Sequence, residues 1–269
     1  MYGHDPLELR ELFAHLEDLC RRTEQGMPGV TNFLSPREAH YAVAYLRRQG
    51  REPFLFGGYG EAERQKLYLL PDYLAEYGIP TERADSFLAE LGLDCELAAL
   101  RIEGSGYRVL THRDFLGSLL ALGLERSVLG DILVDGEQGK SAVLFCNAVL
   151  VPFLREELKQ VANDKVRVRE LPLSEVTVPP RRVMPIHDTV ASPRLDAVVA
   201  ALCGLSREKA RDTVCGGLVE LNFEGEERPD RTVEAPALLS VRGVGRFRIL
   251  SLSEVTKKGR LRLSAEKFL

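Results

Sequence analysis

No stretch of this chain is apolar for anything near the roughly 18 residues that a helix needs to cross a bilayer, so no membrane-spanning helix is expected. The opening MYGHDPLELRELF lacks a basic segment followed by an apolar core, and no secretory signal is expected from it. Cysteine is sparse: Cys20, Cys95, Cys146, Cys203 and Cys215 are odd in number, far apart and without a CxxC pair. That spacing gives no disulfide framework and points to reduced, mostly buried thiols in a cytoplasmic protein. His4, His15, His40, His112 and His187 form no HxxxH or HExxH pair, so no metal centre is expected. No GxSxG nucleophile elbow is present. The turn GGYGEAE (Gly57, Gly58, Gly60) is not followed by Gly-Lys-Ser/Thr, and Glu61 and Glu63 would repel a phosphate. It reads as a structural turn, the alternative being a tRNA or ribosome contact through Arg64 and Lys66. Arg126–Asp131, RSVLGD, reads as a second turn with an internal ion pair.

What remains is an ordinary globular composition, 45% apolar and 28% charged, on 269 residues, enough for two or three domains. The charge is unevenly spread. Residues 181–269 hold 16 Lys/Arg against 12 Asp/Glu, whereas 1–180 hold 20 against 28. From Val241 onward the ratio is 8 to 2. A basic end on an acidic body fits a polyanionic partner, or simply a solvated basic tail.

The pattern predicts a multidomain α+β protein. Residues 1–85 form a small α/β unit: Leu7, Leu9, Leu12, Phe13, Leu16 and Leu19 have helical spacing behind Pro6, Ser35-Pro36 starts a second helix that Gly50 stops, and PFLFGG and KLYLLP are strands. Residues 86–173 run strand, helix, hairpin with its tip at Asp135–Gly139, helix (NAVLVPFLREELKQV), strand, the order of a ferredoxin-like or RNA-recognition-motif-like (RRM-like) sandwich, without that motif's aromatic-rich strand. Residues 174–191, with three prolines, read as an extended linker. Residues 192–269 give two short helices, the first capped by Ser192-Pro193 and the second by Ser206, then a small basic sheet.

In the second helix Arg207 and Arg211 share one face, Ala210 and Val214 another. Helix N-termini beside Arg194 and Arg207 suit phosphate oxygens, since the dipole attracts charge and guanidinium forks bind in pairs. The alternative is surface pairing with Glu208 and Asp212. Farther on, SVRGVGRFRI places Phe247 and Ile249 on one strand face and Arg246 and Arg248 on the other, with Gly243 and Gly245 thinning the backbone between arginines. Such a strand invites a sugar-phosphate chain; a bulge explains the glycines but not the arginines.

The run SPRLDAVVAALCGLSREKARDTVCGGLVELNFE…LLSVRGVGRFRI resembles the RNA-binding αL domain named after ribosomal protein S-four. The matching residues are Arg194, Leu195, Asp196, Ser206, Arg207, Gly217, Val219, Asn222, Arg242, Gly243, Gly245 and Arg246; Ala235-Pro236 stands where that family has Gly-Asp. With FLSPREA, FGGYGEAER, GLERSVLGDILV and VTKKGRLRL around it, the whole chain resembles the YlmH family of bacterial RNA-binding proteins, often encoded near cell-division genes. The resemblance implies binding to rRNA and tRNA on the large ribosomal subunit after stalled ribosomes split, in ribosome-associated quality control.

The expected function is therefore that of a non-catalytic RNA-binding factor without cofactor or metal. Its RNA contacts are expected from Arg194, Ser206, Arg207, Lys209, Arg211, Asn222, Arg242, Gly243, Gly245 and Arg246, and its expected partners are rRNA of the large subunit, tRNA, and ribosomal proteins or quality-control factors, with no membrane. Two other classes stay open: an RNA-modifying enzyme whose active site lies in the first two domains, and a protein-interaction role in cell division.

Overall fold

The structure is a computed structural model that describes residues 7–75, 84–135, 139–179, 183–255 and 259–268. Pro6, the hairpin-tip residues 136–138, linker residues 180–182 and Thr256–Lys258 lie outside the described residues. Contacts group the chain into two compact units, Met1–Pro179 and Pro180–Leu269. No helix among the described residues is long and apolar enough to cross a membrane.

The first unit begins α1 (Leu7–Glu24), β1 (Gly29–Val30), α2 (Pro36–Arg48), β2 (Phe54–Phe56), β3 (Lys66–Leu69), α3 (Asp72–Ala75) and α4 (Ala84–Glu90). Helix α2 starts where it does because Ser35 and Glu38 form a reciprocal cap: the Glu38 amide donates to Ser35 Oγ, and the Ser35 amide to Glu38 Oε2 at 2.7 Å. Leu12, Leu16 and Leu19 of α1 and Ala39, Ala42 and Leu46 of α2 bury against Leu67 and Leu69 of the antiparallel sheet β1-β3-β2.

A second sheet follows within the same unit: β4 (Leu97–Gly104), α5 (His112–Ala121), β5 (Leu129–Val134), β6 (Ser141–Asn147), α6 (Val151–Glu157), β7 (Gln160–Val161) and β8 (Asp164–Leu171). Its order is β5-β6-β4-β8-β7, antiparallel throughout: the α5 crossover from β4 to β5 passes β6, and the α6 crossover from β6 to β7 passes β4 and β8. Leu100 and Ile102 bury one sheet face under Phe115 and Leu119 of α5 and Leu154 of α6. Helix α6 is shorter than its apolar spacing predicts. Leu158 leaves helical geometry (φ −80°, ψ 81°), and Gln160–Val161 pair with Asp164–Lys165 as a tight hairpin.

The second unit comprises β9 (Val183–Val190), α7 (Leu195–Cys203), α8 (Arg207–Cys215), β10 (Val219–Leu221), β11 (Glu224–Gly225), β12 (Ala237–Val241), β13 (Gly245–Val255) and β14 (Leu261–Phe268). Its sheet runs β11-β10-β12-β13-β14-β9. Val198 and Leu202 of α7 and Ala210 and Val214 of α8 pack on the face that carries Leu239, Phe247, Ile249 and Leu263.

Three expectations for this unit are corrected. The linker expected over 174–191 is, from Val183 to Val190, a strand paired along its length with β14; its two prolines before that point do not prevent an edge strand from forming. Helix α7 is preceded by Arg194 at the cap, not Ser192, because the Val233 amide donates to Pro193 O at 2.8 Å and Arg194 bridges Thr232, holding the chain extended up to Leu195. SVRGVGRFRI is a hairpin and not one strand: Val241 pairs with Gly245 around a turn of Arg242, Gly243 and Val244.

Candidate nucleic-acid interface

The fold explains why two arginines of the basic unit converge. Asp196, in the first turn of α7, is nearly fully buried, with 6% of its side chain exposed. Arg194 reaches it from the cap, with Nε to Oδ1 and a terminal nitrogen to Oδ2 both 3.2 Å; Arg207, first residue of α8, donates to Oδ1 at 2.9 Å. Burial would raise the carboxyl, but these hydrogen bonds and the two cations hold it below the ordinary carboxylate range. The same bonds raise Arg194 further. Both guanidiniums stay about half exposed, 45% and 48%, so one buried carboxylate orients two forks whose remaining N–H groups face solvent.

A lowered carboxyl contributes stability above its unfolded value near 4, and loses it as the pH falls through the folded value. Acid unfolding should therefore steepen below about pH 4, and Asp196→Asn should flatten that limb while leaving stability at pH 7 lower. Urea midpoints of both proteins from pH 3 to 7 measure this.

The remaining expected residues fall into three places. Ser206 caps α8, its Oγ accepting from the Lys209 amide at 3.3 Å, with Lys209 and Arg211 exposed beyond it. Asn222 occupies the β10–β11 turn with φ 51°, and its Oδ1 accepts from the Leu238 amide at 2.9 Å, so its role is to hold that turn against β12. Arg242 and Gly243 form the β12–β13 tip. Gly243 is required by φ +80° and not by a close approach, since nothing lies within 4 Å of where its Cβ would be. Gly245 has φ +137° and lies under the Lys267 side chain. Phe247 and Ile249 are buried as expected, so Arg246, one residue from Phe247, projects from the sheet face opposite the helices. The structure thus joins Arg194 and Arg207 and does not join them to Arg246.

The α7 N-terminus is also unlike the expected phosphate cradle. Its first amides are taken: Leu195 N donates to Arg231 O at 2.8 Å and Asp196 N to Pro229 O at 3.0 Å. Sequence reasoning missed the hub itself, and missed Glu226, which holds Arg228 at 3.0 Å and Arg231 at 3.7 Å. The Arg-x-Asp spacing was the available signal for the first.

Elsewhere, Arg64 and Lys66 point inward and are engaged within the fold. Arg64 donates to the carbonyls of Leu129, Phe33 and Arg126 at 2.9 to 3.0 Å. Lys66 is buried, with Nζ 2.9 Å from Glu96 O and 3.0 Å from Asn147 Oδ1, and burial lowers its ammonium. Gly58 lets the GGYGE turn lie on Phe145, and Asp131 accepts from Tyr59 Oη and the Glu63 and Arg64 amides. The RSVLGD segment is thus a helical turn leading into β5, its aspartate serving that loop. Phe33 and Tyr59 thereby cover the sheet face carrying Leu97, Ala99, Val143 and Phe145, where an RNA-recognition motif would stack bases. Among the described residues no group of three His, Cys, Asp or Glu is placed to hold a metal ion.

This protein is 32% identical over 246 residues, 91% of this chain and 89% of the relative, to "Ribosome-associated protein quality control protein P2" of Bacillus subtilis (strain 168). Residues 93–175 match the family model described as "Putative RNA-binding domain in YlmH". The chain belongs to the YlmH family. A solved structure, "Cell division protein ylmH from Streptococcus pneumoniae", shares the fold of this YlmH family member with a TM-score of 0.51 at 20% identity, covering 66% of this chain and 99% of that one.

Proposed function

We propose that this protein is a non-catalytic RNA-binding, ribosome-associated factor of the cytoplasm. Its C-terminal unit is an S-four-type module that grips RNA phosphates, on rRNA of the large subunit and on tRNA of stalled or split ribosomes. The reading is supported by the YlmH family membership and by the name of the Bacillus subtilis relative, which is a quality-control protein. The observation that carries it is the Arg194–Asp196–Arg207 hub, since a buried carboxylate that aims two half-exposed guanidiniums outward presents preorganised forks for phosphate oxygens. Lys209 and Arg211 extend the same cationic surface along α8, while Arg242 and Arg246 form a second one at β13.

Each phosphate neutralised contributes about 0.7 to 0.9 to the slope of log affinity against log salt. Arg207→Ala should weaken ribosome co-sedimentation and lower that slope by about 1. An unaltered slope with unaltered affinity would remove Arg207 from the interface.

A further inference from the structure

The family-matched region contains an exposed ring that the covered sheet face leaves as its best placed aromatic. Between β4 and α5 the chain runs Ser105-Gly106-Tyr107-Arg108-Val109-Leu110, and Tyr107 is 90% exposed. The loop beneath it is held by five hydrogen bonds. Ser105 donates through its amide to Asp164 Oδ2 at 3.1 Å and through its hydroxyl to Oδ1 of the same buried carboxylate. Gly104 N donates to Lys140 O at 2.8 Å, Leu110 N to Gly139 O at 3.0 Å, and Tyr107 N to Ser105 Oγ at 3.2 Å. A Cβ on Gly104 would stand 2.8 Å from Asp164 Oδ2, so glycine there is what lets the carboxylate close on the loop.

A loop ordered in this way has lost its conformational entropy in the free protein, and a ligand that meets the ring does not have to order it. The charges around it favour a polyanion. Lys140 is exposed and its side chain passes Gly106, while Lys165 and Arg167 flank Val166, the β8 partner of Gly104. The nearby carboxylates are engaged: Glu103 with Arg169, Asp114 with Arg108, Asp135 with Arg101 and Asp164 with Ser105. Glu103 stands opposite Arg167 in the ladder, and Lys140, Lys165 and Arg167 are exposed; an exposed aromatic face beside exposed cations is what an unpaired nucleobase and its phosphates recognise. An apolar peptide would find little apolar surface beyond Val109.

We infer that Tyr107 is a stacking platform for an unpaired RNA base, with Lys140, Lys165 and Arg167 beside the adjoining phosphates; this rests on the RNA-binding reading above. It gives the first unit a contact of its own, through a loop and not through the sheet.

The chain contains no tryptophan, so Tyr107→Trp supplies a single indole reporter. Titrated with a single-stranded A12 oligoribonucleotide, its emission should be quenched to saturation. Tyr107→Ala should weaken A12 binding about tenfold and Tyr107→Phe less than twofold, because stacking needs the ring and not the hydroxyl. The salt slope should stay the same in all three, since stacking releases no counterions. Unquenched emission, with Tyr107→Ala binding A12 like the parent while Arg207→Ala binds less, would overturn the platform and leave the C-terminal reading standing. Unquenched emission with a loss of ribosome co-sedimentation in Tyr107→Ala would also overturn it, in favour of a protein contact. A parent chain that binds neither A12 nor ribosomes would instead sink the RNA-binding reading from which the platform follows.

Discussion

Arg194→Gln and Arg207→Gln together, in a chain that also carries Asp196→Asn, should lose about two to four orders of magnitude in affinity for ribosomes. The Asp196→Asn change matters to the design. Removing the arginines alone would strand a buried carboxylate, and the resulting instability would be mistaken for lost binding. With the hub neutralised, what remains is the loss of two charge-assisted phosphate contacts, each worth roughly 1.5 to 3 kcal/mol. Asp196→Asn alone is the reference: it frees both guanidiniums from their common anchor and should reduce affinity less than the triple change. Sedimentation against large subunits over a salt series separates the two variants, with the triple variant's slope shallower by about 2. Equal affinity of the triple variant and the parent would place the RNA contact elsewhere in the chain.

Gly58→Ala should strongly destabilise the first unit. Gly58 has φ +101°, and its added Cβ would fall 2.3 Å from Cδ1 of Phe145, which is fully buried. A left-handed backbone costs an L-residue roughly 1 to 2 kcal/mol, and forcing an atom into a packed core adds roughly 1 to 3. The sum is a large part of the stability of an ordinary domain, about 5 to 15 kcal/mol. Gly60→Ala in the same turn is the control, for nothing lies within 4 Å of its Cβ position. Urea unfolding should show a markedly lower midpoint for Gly58→Ala and little change for Gly60→Ala. Similar midpoints for the two would mean that the turn does not pack on Phe145.

The elements legible in the sequence are those whose signals are local. Ser35 with Glu38, and Thr111 with Asp114, are reciprocal caps written within four residues, and α2 and α5 begin where those pairs place them. The alternation in ALLSV and RFRI separates core from surface, and Leu239, Phe247 and Ile249 are indeed buried. What was not legible depends on partners far along the chain. MPIHDTV reads as a linker because the strand that makes it a strand, β14, comes about 80 residues later in the sequence. Arg64 and Lys66 look like surface cations until the carbonyls of Phe33, Leu129 and Glu96 are brought to them. The arginines of the candidate interface were visible as residue types. Their division into a hub on the helices and a separate pair at β13 was not, because it follows from the hairpin at Gly243 and from the one-residue step between Arg246 and Phe247.

The pairing of β9 with β14 also sets an order of events during synthesis. Strand β9 is made before both helices of its unit, yet all eight of its residues find their ladder partners only in Leu261–Phe268. Chains emerge from the N-terminal end, and contacts this distant in sequence form late. The sheet edge at β13 therefore stays open until β14 has left the exit tunnel, and the sheet that backs the arginine hub closes only with that strand.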